Sequence, residues 1–428
     1  MIVFESFYQQ YEGIAESNIF VDSANTLFAT IQEERNKQVS GYYKLPFDTM
    51  ALQQALAYKE RNKQYFNNIT DLVIVGIGGS SLGIRAIDST LKTLAKRNHI
   101  NISFLEHTDP FETKSILESI NPKHTHFIII SKSGTTIETS SLFKYLISRY
   151  NLLSPDNKHH LCCITDEHSP LHKLALQEGL EAFCIQSNVG GRFSVLSFVG
   201  LLPLCLLGYD VATLLQGARA MMERFFARQE EHILHKALFL AKQRVNFPMN
   251  VLFSYSSIFT DLNRWFVQLW GESLGKINSD KQYVGLTPIA LVGSIDQHSF
   301  LQLIIQGARD KFVSFLSLDN ACSDQDSQYF IQIPESNLAF LESTNFVNKT
   351  SFLALLNLQK QATLETLQEA NIPLDSITLQ ALDEWHIGAL IVYFELLTSC
   401  VGIALGINTY DQPGVEFGKQ RLHSYFSQ

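Results

Sequence analysis

Cysteine is sparse in this chain and never paired in sequence. Its six cysteines, Cys162, Cys163, Cys184, Cys205, Cys322 and Cys400, include no C-x-x-C and sit mostly among apolar neighbours. Reduced core residues fit that usage better than disulfides or a zinc site, which points to the cytoplasm. Positive charge is short too: 33 Lys and Arg stand against 42 Asp and Glu, a formal net charge of -9. No nucleic-acid partner is expected, since that would want a basic face, and an anionic ligand would need a locally basic pocket. MIVFESFYQQYE carries acids and lacks a basic stretch ahead of its apolar residues, so no signal peptide is expected. Uninterrupted apolar runs of membrane length are also missing. Phe193 to Gly208 is too short, and Ile387 to Gly406 holds Glu395 at mid-depth, where a charge would cost at least ~2.5 kcal/mol. Both are expected to be buried helices, with no membrane partner.

What is present is apolar content of 46% in 428 residues, enough for two or three domains with real cores. The central stretch is THFIIISKSGTTIETSSLFKYLISRY, residues 125–150. Phe127 to Ile130 has the length and β-branched content of a strand buried on both faces. From Ser131 to Thr136 all residues but Gly134 carry a hydroxyl or a positive charge, and Glu138 then opens a helical apolar pattern. Free N–H groups at a helix start, rotating hydroxyls and Lys132 suit a phosphate dianion and call for no metal. The plainer reading is a Ser/Thr-rich turn that caps a helix.

A second strand, loop and helix occurs in DLVIVGIGGSSLGIRAI, where Gly76, Gly78, Gly79 and Gly83 follow the apolar run Leu72 to Val75. A dinucleotide fingerprint would need glycine at position 81, where Ser81 stands, although Glu106 falls where a ribose-binding acid would lie. The other reading has Gly79 and Ser80 offering a backbone N–H and a hydroxyl. With two such cups, one sugar phosphate at the carboxyl edge of a parallel sheet is favoured over NAD. Strands at Leu161 to Thr165 and Ala182 to Ile185 extend a doubly wound α/β unit to about residue 190. Arg192 then follows Gly190 and Gly191, which let backbone approach a ligand closely, and is read as an anion partner rather than a structural cap.

Residues 209–245 look helical, with Glu223, Arg224, Arg228, Glu230, Glu231, His232 and His235 on a wet face rather than in a metal site. From Asn250 the pattern restarts, with strands expected at Pro288 to Val292 and Phe312 to Leu316, as in a diverged repeat. Glu272 lies just past Trp270 with Lys276 four residues on: an i,i+4 ion pair on a helix surface, or a carboxylate placed to shuttle a proton. His298 is a capped turn residue or an acid/base group. Leu379 to Leu405 is read as the C-terminal helix, and GINTYDQPGVEFGKQ, with Gln412 and Lys419, as a site lid rather than an exposed tail.

Together these residues resemble the glucose-6-phosphate isomerases in their shorter bacterial form, from about Gly41 to the C-terminus. NVGGRFSVLSFVG at 188–200 and GIALGINTYDQPGVEFGK at 402–419 look like the two family signatures, with GIGGSSLG, SKSGTT, GESLGK and DQHSF in the expected order. Ile84 is a soft departure, standing where many members have Pro or Ala. The resemblance implies an α/β fold of two sugar-isomerase (SIS) α/β/α domains with parallel sheets plus a helical C-terminal segment. In this chain the divisions would be 1–45, an N-terminal helical segment; 46–208, the first domain with the phosphate cups; 209–245, connecting helices; 246–400, the second domain; and 401–428, a tail completing the active site. By carry-over, Gly79, Ser80, Ser131, Ser133 and Thr136 would hold the sugar phosphate, with Lys132 lending charge. Gln268 and Gln412 would hold the sugar, Arg192 would face the reacting carbons, Glu272, His298 and Lys419 would move protons, and Glu138 would orient His298. The family implies a homodimer whose matching His comes from the neighbouring subunit, and neither metal nor other cofactor. Moving one proton between C2 and C1 through a cis-enediol needs a single carboxylate base and a fixed positive charge for the developing oxyanion. A dual phosphoglucose/phosphomannose isomerase and a non-catalytic phosphosugar-binding protein share the cups; the second need not keep Glu272, His298 and Lys419 together.

Overall fold

The computed structural model describes residues 2–8, 18–94 and 96–426. Two compact units comprise residues 32–223, and residues 1–31 with 224–428. The first strand, β1 (Ile2–Ser6), belongs to the second of these.

The 32–223 unit is built on β2 (Asp71–Val75), β3 (Asn101–Leu105), β4 (Thr125–Ile130), β5 (Leu161–Asp166) and β6 (Glu181–Ile185). All neighbours are parallel, in the order β3-β2-β4-β5-β6. Every residue of β2 and β4 is buried, as strands covered by helices on both faces must be. Val73, Phe127 and Ile129 pack with Leu142 and Leu146 of the Ile137–Tyr150 helix; truncating one such Leu to Ala costs roughly 2–5 kcal/mol. That helix ends where Asn151 takes the left-handed conformation, φ 51°. After β2 the chain winds to one side, to β3, and then crosses to the other, to β4. The loops that follow β2 and β4 therefore part at a topological switch point, where an open α/β sheet leaves its ligand crevice.

The other unit has β7 (Met249–Tyr255), a short hairpin of β8 (Lys276–Ile277) and β9 (Tyr283–Val284), β10 (Thr287–Val292), β11 (Lys311–Leu318) and β12 (Leu374–Leu379). Its main sheet runs β1-β12-β11-β7-β10, parallel except for β1. β7 stands between β10 and β11 as β2 stands between β3 and β4, the same winding twice.

Three expectations change here. Within the N-terminal segment expected to be helical, residues 2–6 form an antiparallel edge strand paired with β12, Ile2 opposite Leu379. Their alternating burial is strand periodicity that finds a face only once β12 is beside it. Helices cover Asn18–Lys37 and a 3-10 stretch Gly41–Phe47, and residues 9–17 lie outside the described residues. Leu379 closes β12 instead of opening the last long helix, which is Glu384–Ala404; Asp383 caps it, accepting from the His386 N–H at 2.8 Å. The wet face expected around His232 is partly interior. Its ring stacks 4.1 Å from Phe4, and burial holds its pKa down to about 3. Glu230 is buried and accepts from Arg224 at 2.5 Å.

Glu384–Ala404 is, among the described residues, the one helix long and apolar enough to cross a membrane, yet most of it is buried inside the protein. Glu395 within it is 1% exposed, and burial pushes its carboxyl well above the usual range.

Candidate active site

Four loops meet at the carboxyl edge of the first sheet. The β2 loop lies so close to the β4 end that a Cβ on Gly76 would fall 2.7 Å from the Ile130 carbonyl oxygen. A Cβ on Gly79 would fall 2.2 Å from the Gly191 carbonyl carbon, so the two glycines allow backbone to pack on backbone there. Ser194 ties the same pair, its hydroxyl lying 2.7 Å from the Gly191 carbonyl and 3.4 Å from that of Gly79. Ser80 ends the short 3-10 turn Gly78–Ser80 that holds these residues.

In the β4 loop the Ser131 hydroxyl donates to that of Thr136 at 3.1 Å, and Ser133 Oγ accepts from the Thr135 N–H at 3.2 Å and its hydroxyl at 3.1 Å. Gly134 turns the loop with φ +68°. Thr136 is the N-cap of the Ile137–Tyr150 helix but makes no side-chain capping bond, and Glu138 lies in the first turn. Hydroxyls engaged with one another rather than with the helix N–H groups are the arrangement an incoming anion can take over. Lys132 donates to the Ser187 carbonyl at 2.6 Å, tying this loop to the one after β6. Burial draws its ammonium below the ordinary value, against the pull of Asp166, and burial likewise raises the Asp166 carboxyl against the pull of Lys132. Arg192 is 1% exposed, its guanidinium 5.4 Å from the centre of the Phe193 ring.

Thr165 and Ser169 were missed in sequence. The Thr165 hydroxyl donates to the Ser131 carbonyl at 2.7 Å and lies 2.7 Å from that of Ser169, which accepts from the His172 N–H. The Ser-Pro start of the Pro170–Glu178 helix is the signal that could have marked Ser169 as a cap; nothing local points to Ser131. Glu106, the acid a dinucleotide reading would set on a ribose, is ion-paired with Arg85 at 2.7 Å. Cavities of about 510 Å³ beside Tyr145 and about 760 Å³ beside Tyr43 include no cup residue, whereas one of about 210 Å³ is lined by Ser131 and Gly134.

In the other unit Gln268 and Glu272 lie one turn apart on the Thr260–Leu274 helix. The Gln268 amide donates to Glu272 Oε1 at 3.0 Å and the Gln412 amide to Oε2 at 2.7 Å. A half-buried carboxylate is thus held on both oxygens by neutral donors, which fix its plane. The Lys276 ammonium donates to the Glu272 and Ser273 backbone carbonyls, so it closes the helix end.

His298 is not brought to Glu272. The Thr260–Leu274 helix leaves the carboxyl end of β7 and returns to the start of β10, where Gly271 would set a Cβ 3.9 Å from Pro288. His298, at the end of the 3-10 turn Ile295–His298, follows β10 at the opposite edge of the sheet, and it is exposed. Lys419 is exposed on the Glu416–Phe426 helix. Among the described residues no cluster of His, Cys, Asp and Glu has a metal-binding arrangement.

Two helix-flanked sheets, one parallel and the other parallel except for β1, wind outward to both sides from β2 and from β7 and define a doubly wound α/β protein. The chain belongs to the Phosphoglucose isomerase family, which its residues 48–427 match. It is 43% identical over 389 residues to the glucose-6-phosphate isomerase of Campylobacter jejuni subsp. jejuni, covering 91% of this chain and 92% of that one. With a glucose-6-phosphate isomerase of Thermus thermophilus it shares 35% identity over 381 residues, 89% of this chain and 88% of the other. Among solved structures, a hypothetical protein from Thermus thermophilus superposes over all of both chains with a TM-score of 0.88 and 32% identity. A glucose-6-phosphate isomerase from Chlamydia trachomatis shares the fold, with a TM-score of 0.75 at 24% identity over 88% of this chain and 73% of that one.

Proposed function

We infer that this chain is an aldose–ketose isomerase interconverting glucose 6-phosphate and fructose 6-phosphate through a cis-enediol, as in glycolysis and gluconeogenesis. The observation that carries the reading is a carboxylate held on both oxygens, Glu272 between Gln268 and Gln412, in a chain of this family. Neither the phosphomannose reading nor a non-catalytic binding role is favoured by relatives named glucose-6-phosphate isomerase.

In the proposed site Gly79, Ser80, Ser131, Ser133 and Thr136 hold the phosphate, with Lys132 keeping the cup in place and adding charge. Gln268 and Gln412 also serve the sugar. Glu272 takes the proton from C2 and returns it to C1 on the same face. Arg192, always charged, stabilises the oxyanion of the enediol without consuming a proton. His298 and Lys419 open the pyranose ring, one giving a proton to the ring oxygen and the other taking one from the O1 hydroxyl, and Glu138 orients His298. No metal or other cofactor is called for by these steps, and a cytoplasmic location belongs to the same proposal.

The reading includes a homodimer with shared sites. A 15-residue helix spans roughly 20 Å, and about that distance separates the sheet edge that carries Glu272 from the one that carries His298. This supports His298 acting in the site of a second copy. The isomerase reading is tested by following fructose 6-phosphate conversion to glucose 6-phosphate after exhaustive chelation and without nucleotide. Turnover is expected; activity that vanishes and returns only with a divalent ion would refute the metal-free scheme, and no turnover at all would refute the reading.

A further inference from the structure

Lys276 occupies an unusual place for a helix-closing residue. Its ammonium donates to the backbone carbonyl of Glu272 at 2.8 Å and of Ser273 at 2.9 Å, and stands 3.7 Å from the Asp411 carboxylate. The Lys276 side chain is 7% exposed and that of Asp411 48%. A cation at a helix C-terminus is ordinarily a surface device that complements the helix dipole. Here it is buried, it grips the carbonyl of the very residue whose carboxylate is clamped, and its carboxylate partner is the residue next to Gln412. One side chain thus joins both supports of the carboxylate: the helix end that carries Glu272, and the turn whose Gln412 amide holds Oε2.

We propose that Lys276 is a positioning residue for proton transfer, with Asp411 as its partner: it locks the end of the Glu272 helix to the 411–412 turn and so sets the carboxylate against the reacting carbon. The proposal rests on the reading of Glu272 as the base. Without it the helix end that carries Glu272 and the 411–412 turn are no longer tied through the ammonium, and misplacement by ~1 Å at a reacting centre can cost about 100-fold in rate.

The experiment uses the full chain with fructose 6-phosphate as substrate. Lys276→Met is expected to lower kcat roughly 10- to 100-fold with KM within about twofold. A residue that only stabilised the fold would lower Tm without splitting kcat from KM in this way. Lys276→Arg should restore part of kcat. Asp411→Asn should give a smaller loss, and the double variant should fall short of the sum of the two single losses, because both changes break the same Lys276–Asp411 tie. Parental kcat in Lys276→Met, or strictly additive effects in the double variant, would overturn the proposal. If Lys276→Met does not fold, Asp411→Asn decides: lower kcat at unchanged Tm supports the lock, and parental kcat refutes it. Glu272→Gln keeps the two failures apart. If that variant still exchanges deuterium into C2 at the parental rate, the base is misassigned; if it is inactive while Lys276→Met is parental, only the positioning role falls.

Discussion

The two units wind their sheets alike and use them differently. In the 32–223 unit the candidate residues gather at the carboxyl edge of one sheet: in the loops after β2 and β4, the first turn of the helix that follows β4 and, for Arg192, the loop after β6, with hydroxyls recurring among the side chains. In the other unit the corresponding switch point carries none of the candidates. Glu272 and Gln268 come from the far end of the first helix after β7, and His298 from the loop after β10. In the proposed scheme one winding serves two tasks. Gripping a phosphate needs several donors converging on one point, which a switch point supplies. Moving a proton needs one group held in one orientation, which a helix end supplies once its amide neighbours are in place.

The sharpest way to break that comparison is at the carboxylate. Glu272→Gln should lose about 10³-fold in kcat and in solvent deuterium exchange at C2, while binding of a sugar-phosphate inhibitor stays near the parental level. Paired with His298→Ala, itself inactive, it also tests the shared site. After dissociation and reassembly in equal amounts about half the dimers are mixed, each with one intact site, so activity should approach roughly a quarter of parental. Mixed dimers demonstrated by mass and still inactive would show that His298 does not serve its partner.

A smaller effect is expected in the gripping unit. Gly79→Ala places a methyl 2.2 Å from the Gly191 carbonyl carbon and 2.3 Å from its oxygen, so the two loops must separate. Such overpacking costs about 1–3 kcal/mol, and the loss should appear as weaker phosphate-dependent binding, on the order of tenfold in KM, rather than in kcat. A fall confined to kcat would show that the split between grip and chemistry is wrong.

The smallest effect concerns a property the units share. Each buries a neutral histidine whose pKa is held down to about 3 by burial: His126 in one, between the hydroxyls of Tyr58 and Tyr65 at 3.3 and 3.1 Å, and His232 in the other. An unfolded histidine titrates near 6.5, so the unfolded chain binds the proton first. Stability is therefore fully present above that value and falls as the pH drops toward 3. Between pH 6.5 and 4 each site should remove on the order of 1–3 kcal/mol. Urea midpoints for His126→Gln and His232→Gln should each fall less steeply with acid than the parental midpoint; a slope unchanged in one of them would show that its histidine is already solvated in the folded state.

Sequence by itself determined four of the five strands of the first sheet, because apolar runs such as Phe127–Ile130 between polar turns have no other way to be buried, and it located the two loops of the proposed cups, since Gly79 and the Ser131–Thr136 hydroxyls mark them locally. It also singled out Gln412 and Lys419 within a long signature, and Glu272 and His298 within the shorter stretches GESLGK and DQHSF. Only the tertiary structure decided that Ile2–Ser6 is a strand, because five residues of alternating burial have no preferred fate until β12 offers an edge. The same holds for the Gln268 and Gln412 clamp on Glu272, for Lys276 gripping backbone carbonyls where an i,i+4 ion pair was one of two readings, and for Thr165 bracing Ser131. Periodicity and turn chemistry act over a few residues and are written where they act. A hydrogen bond between residues 140 positions apart, as between Gln412 and Glu272, exists only after the chain has folded back on itself.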